Sequence, residues 1–123
     1  MKTFLLFISL VFASSCLWAQ VTLSTPSFKI EVNNKGLVTS LLDVAGQHQY
    51  VNADTTTALL QLKTMERWER PVSMTVDRTK QLLSFRFPSQ ITIEVKATVK
   101  DSYITFEITG AKPMDKIDRV LWG

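Results

Sequence analysis

Apolar and polar residues alternate without interruption from position 91 to position 99. The apolar set is Ile91, Ile93, Val95, Ala97 and Val99, and the polar residues Thr92, Glu94, Lys96 and Thr98 lie between them. This period of two predicts a strand with one buried face, because a helix would distribute the same apolar side chains around its circumference. We therefore expect the apolar set to face a core and the polar set to face water.

Shorter segments of the same kind recur along the chain between residues that favour turns. They lie at 28–32, 37–42, 49–51, 58–64, 72–76, 82–87, 103–108 and 117–122. The residues from Asn33 to Gly36 form one such turn, because Asn and Gly tolerate positive φ angles. The stretches 52–57 and 110–116 are polar or contain proline and are predicted to be connections. About eight or nine strands without helical periodicity predict an all-β fold with antiparallel neighbours, a β-sandwich or a barrel.

The first nineteen residues have the three-part layout of a secretory signal peptide. Lys2 provides a positive start, residues 4–12 are apolar, and small residues lead to Ala19. The apolar run is shorter than the roughly 20 residues that a membrane-spanning helix requires. We expect a signal peptide at 1–19 and one β-sandwich domain at 20–123, exported to the periplasm, the cell surface or the medium.

Cys16 is the only cysteine. Residues 13–16 partly resemble a bacterial lipobox, although Ala13 stands where leucine is usual. Loss of Cys16 with the signal peptide is the favoured interpretation, and a lipid anchor on Cys16 is the alternative. A mature chain without cysteine has no disulfide, so its stability must come from its core.

Charge and composition exclude several classes of function. The chain carries 14 basic and 11 acidic residues, a net charge of +3 that loss of Lys2 lowers by one, and the charges do not cluster. Nucleic-acid binding is not expected, because it requires a basic patch or stripe. His48 is the only histidine, so neither a metal site nor a nucleophile–histidine pair is expected. No glycine-rich phosphate-binding motif is present, and no cofactor is expected.

Three segments resemble a known family. They are residues 28–43 (FKIEVNNKGLVTSLLD), 58–62 (ALLQL) and 117–123 (IDRVLWG). They are similar to the N-terminal β-sandwich domain, often a galactose-mutarotase-like supersandwich, of secreted glycoside hydrolases from Bacteroidetes-type bacteria. The resemblance implies a non-catalytic accessory domain that braces a catalytic domain of the same parent chain, commonly a (β/α)8 barrel. The alternative is a stand-alone exported carbohydrate-binding module, or a periplasmic lipoprotein without enzymatic activity.

The last predicted strand ends on bulky apolar residues, Val120, Leu121 and Trp122. Chain ends usually fray through polar residues, and an apolar strand at an open sheet edge is normally covered. We therefore expect the sandwich to be truncated and the chain to be the front part of a longer protein.

Residues 66–70 form the most distinctive segment for binding. Trp68 lies among Glu66, Arg67, Glu69 and Arg70. An exposed tryptophan stacks on a sugar ring while the charged groups bind its hydroxyls; the alternative is that Trp68 packs on the core or on a neighbouring domain. The arginines beside both carboxylates favour low pKa values, whereas an acid catalyst requires a raised pKa. We therefore expect no catalytic residue here, and Trp68, Arg67, Glu66 and Arg70 are the candidate carbohydrate contacts if Trp68 does not pack in this way.

We predict that export is accompanied by cleavage between Ala19 and Gln20, because the small-residue exit ends at that bond. The intact mass of the exported protein measures this directly. The expected mass begins at Gln20. A mass that includes residues 1–19 would contradict the prediction, and a diacylated Cys16 would replace it with the lipoprotein alternative.

Overall fold

The computed structural model describes residues 20–51 and 57–123; the predicted signal peptide with Cys16, and residues 52–56 of the predicted connection, lie outside this part of the chain. Within it the chain forms twelve strands and one short 3-10 helix, Met114–Lys116. The strands are β1 (Val21–Ser24), β2 (Phe28–Val32), β3 (Leu37–Asp43), β4 (His48–Gln49), β5 (Thr57–Ala58), β6 (Leu60–Lys63), β7 (Trp68–Glu69), β8 (Ser73–Asp77), β9 (Leu82–Arg86), β10 (Thr92–Val99), β11 (Ile104–Lys112) and β12 (Arg119–Trp122). In the same residues, no helix has the length and apolar character that crossing a bilayer requires.

The strands form three antiparallel sheets around one hydrophobic core. The first sheet has the order β1-β2-β3-β4, with β5 also paired to β3; the second has the order β11-β10-β9-β8; the third has the order β12-β6-β7. Each sheet contributes buried side chains to the same cluster, for example Val32, Phe85 and Leu62. The predicted all-β, antiparallel, sandwich-like fold is confirmed.

Strand β10, together with Ile91 directly before it, carries the largest share of this core. Ile91, Ile93 and Val95 are each 0% exposed and Ala97 is 4% exposed, as the alternation predicts. Val99 departs from the prediction and is 42% exposed. The pairing of β10 with β9 ends at Lys96, so Val99 extends past the neighbouring strand that would cover it.

The predicted strand at 58–64 is instead two strands that belong to different sheets. β5 pairs with β3, whereas β6 pairs with β12. Between them, the amide of Leu59 donates a 3.1 Å hydrogen bond to the carbonyl of Gly36, and the carbonyl of Leu59 accepts a 2.8 Å bond from the amide of Gly123. The chain therefore changes sheets at Leu59, where its neighbours Ala58 and Leu60 are both buried. At such a corner successive residues are buried and therefore apolar. In the sequence, this apolar run looks like part of one continuous strand.

Several short elements also differ from the prediction. β1 and β7 were not predicted, Thr57 begins β5, and β11 continues to Lys112 into the stretch expected to be a loop. His48 lies on the two-residue strand β4 and is exposed. β12 pairs with β6 along one edge, so the last strand is not isolated. Trp122 remains 43% exposed and lies against Phe106, with 6.3 Å between ring centroids.

The predicted turn between β2 and β3 is confirmed and connects two sheets. The side-chain oxygen of Asn33 accepts hydrogen bonds of 3.0 Å from the amides of Lys35 and Leu37. The carbonyl of Asn34 accepts a 2.7 Å bond from the amide of Met74 on β8. The turn of the first sheet is therefore attached to the edge strand of the second sheet.

Aspartate substitutions at two neighbouring positions of β10 test the assignment of its faces. Val95→Asp should lower the free energy of unfolding by about 4 kcal/mol or more, because it buries an unpaired charge. Glu94→Asp should cost about 1 kcal/mol or less, since it loses only the exposed 2.9 Å hydrogen bond from Thr109. Urea unfolding of both variants measures the difference. Similar losses of stability would show that the strand faces the other way.

Candidate functional site

The segment around Trp68 forms the tip and the returning strand of the β6–β7 hairpin. The amide of Thr64 donates a 2.9 Å hydrogen bond to the carbonyl of Arg67. The hydroxyl oxygen of Thr64 accepts bonds of 3.4 and 3.3 Å from the amides of Glu66 and Arg67. A threonine side chain that binds nearby amides in this way stabilises a turn. The turn places Trp68 directly opposite Lys63.

The register of the third sheet places two basic side chains and one aromatic side chain in one row. Arg119 on β12 lies opposite Lys63 on β6, and Lys63 lies opposite Trp68 on β7. Residues opposite each other in an antiparallel sheet share a face. In the next row on that face, Leu121 lies opposite Gln61. All three strands of the sheet therefore contribute to one surface.

Burial distinguishes this surface from the opposite one. Trp68 is 47% exposed, whereas the next residue, Glu69, is only 4% exposed. Exposed and buried positions continue to alternate through Arg70, which is exposed, and Pro71, which is buried. Arg70 therefore follows Trp68 on the outward side. We call this surface the Trp68 face; it consists of Gln61, Lys63, Trp68, Arg70, Arg119 and Leu121.

The Trp68 face combines an aromatic ring with hydrogen-bond donors. The ammonium nitrogen of Lys63 lies 6.0 Å from the ring centroid of Trp68, within the range of a cation–π contact. The half-exposed ring offers an apolar platform, while Lys63, Arg70, Arg119 and Gln61 offer nitrogen donors around it. Such a surface can stack on a planar or ring-shaped ligand and bind its oxygen atoms.

Glu69 lies on the inner side of the same hairpin, where several hydrogen bonds hold its carboxylate in place. Its side chain accepts a 3.1 Å hydrogen bond from the amide of Ser89, another from the Ser89 hydroxyl, and a weak 3.5 Å bond from Nε of Arg67. Burial alone raises the pKa of Glu69, but the bonds from Ser89 and the charge of Arg67 outweigh burial and hold its pKa below the ordinary value. Glu69 therefore stays ionised and attaches the hairpin to the turn after β9.

The buried carboxylate of this hairpin, Glu69, is poorly suited to acid catalysis. Glu69 is engaged by Ser89 and Arg67, and its pKa shift is opposite to the one that a general acid needs. Glu66 is exposed beside a groove of about 390 Å³ at the tip of the hairpin, which Ser89 and Asp115 also line. In residues 20–51 and 57–123, no three His, Cys, Asp or Glu side chains lie close enough together to hold a metal ion.

The structure places the predicted site residues in two locations. Trp68 and Arg70 lie on the Trp68 face, whereas Glu66 and Arg67 lie at the hairpin tip, where Arg67 contacts Glu69. Trp68 is neither buried in the core nor fully exposed.

Sequence reasoning missed three contributors to this region. Lys63 and Arg119 are 56 positions apart in the sequence, but the strand register makes them direct neighbours in the folded chain. Ser89 is twenty residues from Glu69 and carries no motif that would connect the two. Strand register is the signal that would have found Lys63 and Arg119, and it is not readable from periodicity alone.

Comparison of the chain with protein-family models, curated proteins and solved structures found no match.

Replacing Glu69 by glutamine tests its structural role. A carboxylate with a lowered pKa in the folded state stabilises the fold above its ordinary pKa of 4.5, and this contribution is lost as the pH falls through the folded-state value. Glu69→Gln should therefore lower the free energy of unfolding by about 1–3 kcal/mol at pH 7, and the difference from wild type should shrink in acid.

The matched control is Glu66→Gln, which removes the same charge from an exposed position of the hairpin and should change stability by less than about 0.5 kcal/mol. Urea unfolding at pH 7 and at pH 3 measures both variants. A difference for Glu69→Gln that does not depend on pH, or an equal effect of Glu66→Gln, would contradict the role assigned to Glu69.

Proposed function

We propose that this protein contributes a non-catalytic accessory β-sandwich domain to an exported glycan-degrading enzyme, and that its Trp68 face contacts carbohydrate. The observation that carries the proposal is the half-exposed ring of Trp68 in a row with Lys63 and Arg119. A tryptophan ring packs against the apolar C–H face of a sugar, and the surrounding donors bind its hydroxyl oxygens. The sheet itself holds these groups in place.

The assignment to a glycoside hydrolase is supported by the sequence resemblance, and the export of the protein is supported by the layout of residues 1–19. Residues 28–43 form the β2–β3 hairpin and residues 117–122 include β12, so the segments that carry the resemblance belong to two of the sheets. Under this proposal the parent chain is a Bacteroidetes-type secreted enzyme with a galactose-mutarotase-like N-terminal domain. Glycoside hydrolysis requires a pair of suitably spaced carboxyl groups, and a catalytic domain of the same parent chain would supply them.

A stand-alone exported binding module is the second candidate, favoured by the lipobox-like residues before Cys16. Both candidates use the same Trp68 face, and they differ in whether a catalytic domain accompanies it. The reading frame that follows the codon for Gly123 distinguishes them: several hundred further codons support the accessory domain, and a stop codon supports the module.

Trp68→Ala should weaken carbohydrate binding about tenfold or more, because it removes the stacking platform and leaves the sheet intact. Affinity electrophoresis of the exported protein in gels that contain individual plant and bacterial polysaccharides measures the binding. Tyr50→Ala is the matched control, since Tyr50 is an exposed aromatic residue on a different sheet edge. Its retardation in the gel should equal that of wild type.

Two outcomes would contradict the proposal. Retardation that Trp68→Ala leaves unchanged would place the binding elsewhere, and absence of retardation by every polysaccharide would remove the carbohydrate contact. The same protein should not hydrolyse aryl-glycosides when it is isolated from any catalytic domain. Turnover that Glu66→Gln abolishes would overturn the non-catalytic assignment.

A further inference from the structure

We propose that the Trp68 face selects anionic polysaccharides, whose sugars carry carboxylate or sulfate groups, over neutral ones. This inference rests on the carbohydrate contact proposed above and specifies its ligand class. Its basis is the composition of the Trp68 face, in which Lys63, Arg70 and Arg119 accompany one aromatic ring and none of the six residues is acidic. Three cations bind an anionic sugar through charge-assisted hydrogen bonds, which are stronger than the bonds they form with a neutral hydroxyl group.

The strand register arranges two of the cations in a line with the ring. Arg119, Lys63 and Trp68 occupy adjacent strands, which lie about 4.8 Å apart, so the row is about 10 Å long. A sugar stacked on Trp68 would lie beside Lys63, and a glycan that followed the row would bring its next sugar to Arg119. Arg70 directly follows β7, two residues after Trp68, and borders the row on the adjacent side.

These cations are only weakly neutralised by the protein. The described part of the chain contains ion pairs between Lys29 and Glu31, between Arg67 and Glu69 and between Arg119 and Asp118. Lys63 and Arg70 belong to none of these pairs. The Arg119–Asp118 pair is long, at 3.9 Å, and its side chains are 72% and 46% exposed, so it stabilises either group little.

The two acidic residues of the hairpin, Glu66 and Glu69, also lie away from the Trp68 face. Glu66 lines the groove at the hairpin tip together with Ser89 and Asp115. Glu69 lies on the buried side of β7, where Arg67 and Ser89 bind it. An anion on the Trp68 face therefore meets Lys63 and Arg70 without displacing a carboxylate. Arginine binds carboxylate and sulfate groups through paired N–H donors, and this makes the interaction selective as well as attractive.

Single-stranded nucleic acid is the other anionic polymer that stacks on aromatic rings. Its binding sites combine several aromatic side chains with a basic groove that follows the backbone over at least about four nucleotides. The Trp68 face has one tryptophan and a short row of cations, and the chain as a whole carries a net charge of only +3. The Trp68 face is therefore better matched in size to two or three anionic sugars than to a nucleic-acid strand.

Paired polysaccharides test the inference with the exported protein in about 0.1 M salt. Polygalacturonate is compared with its carboxyl-reduced, neutral form, and dextran sulfate is compared with dextran; the first pair tests carboxylate and the second tests sulfate. We expect at least one anionic polymer to bind about tenfold more tightly than its neutral counterpart, and added salt to reduce the difference. Selectivity in either pair supports the inference and identifies the anionic group.

Matched triple variants localise the selectivity. Lys63→Gln, Arg70→Gln and Arg119→Gln in one protein should reduce anionic binding about tenfold and change neutral binding little. Lys35→Gln, Arg78→Gln and Lys100→Gln remove the same total charge from exposed positions outside the Trp68 face and should leave anionic binding within about twofold of wild type. Thermal unfolding verifies that both triple variants are folded.

Each remaining outcome contradicts a defined part of the account. Equal, Trp68-dependent binding of the anionic and neutral polymers would overturn the selectivity and leave the carbohydrate contact intact. No binding of any polysaccharide would overturn both. Equal losses of anionic binding in the two triple variants would show that net charge attracts the polymer. Equally tight binding of an oligothymidylate would show the same, and either result would overturn the selectivity.

Discussion

The structure depends on a close contact between the β2–β3 turn and the second sheet at Gly36. Gly36 has a φ angle of +82°, and a Cβ atom there would lie 2.8 Å from Pro71 and 2.9 Å from Phe85, too close for any real side chain. Its carbonyl also accepts the hydrogen bond from Leu59 at the point where the chain passes from the first sheet to the third. All three sheets therefore meet at one residue whose missing side chain allows them to close on a common core.

This junction also positions the candidate site. Pro71, which packs against Gly36, follows Trp68 by only three residues, and between them Glu69 is bound by Ser89. Trp68 is thus anchored through Glu69 and Pro71, the two buried residues that come after it. A side chain held in this way loses little conformational freedom when a ligand binds, so more of the contact energy contributes to affinity.

The sequence predicts the parts of this structure whose signals are local. The alternation through Val95 identifies β10 and its buried face, and Asn33 with Gly36 identifies the turn. Strands of two residues, such as β4 and β7, are too short to show a period, and the change of sheet at Leu59 depends on partners from distant parts of the chain. The candidate site divides in the same way: Trp68 is visible as an unusual residue, but its neighbours across the sheet follow from register, which only the folded chain defines.

The central claim, that carbohydrate binds to the outward face of the third sheet, is tested most directly by nuclear magnetic resonance. Residues 20–123 contain two tryptophans, so a protein cleaved after Ala19, as predicted, gives two indole N–H signals, from Trp68 on this face and from Trp122 beside Phe106. During titration with a short oligogalacturonate, the Trp68 indole and the backbone amide of Lys63 should shift progressively while the Trp122 indole stays in place. Shifts at Trp122 with none at Trp68 would contradict the account.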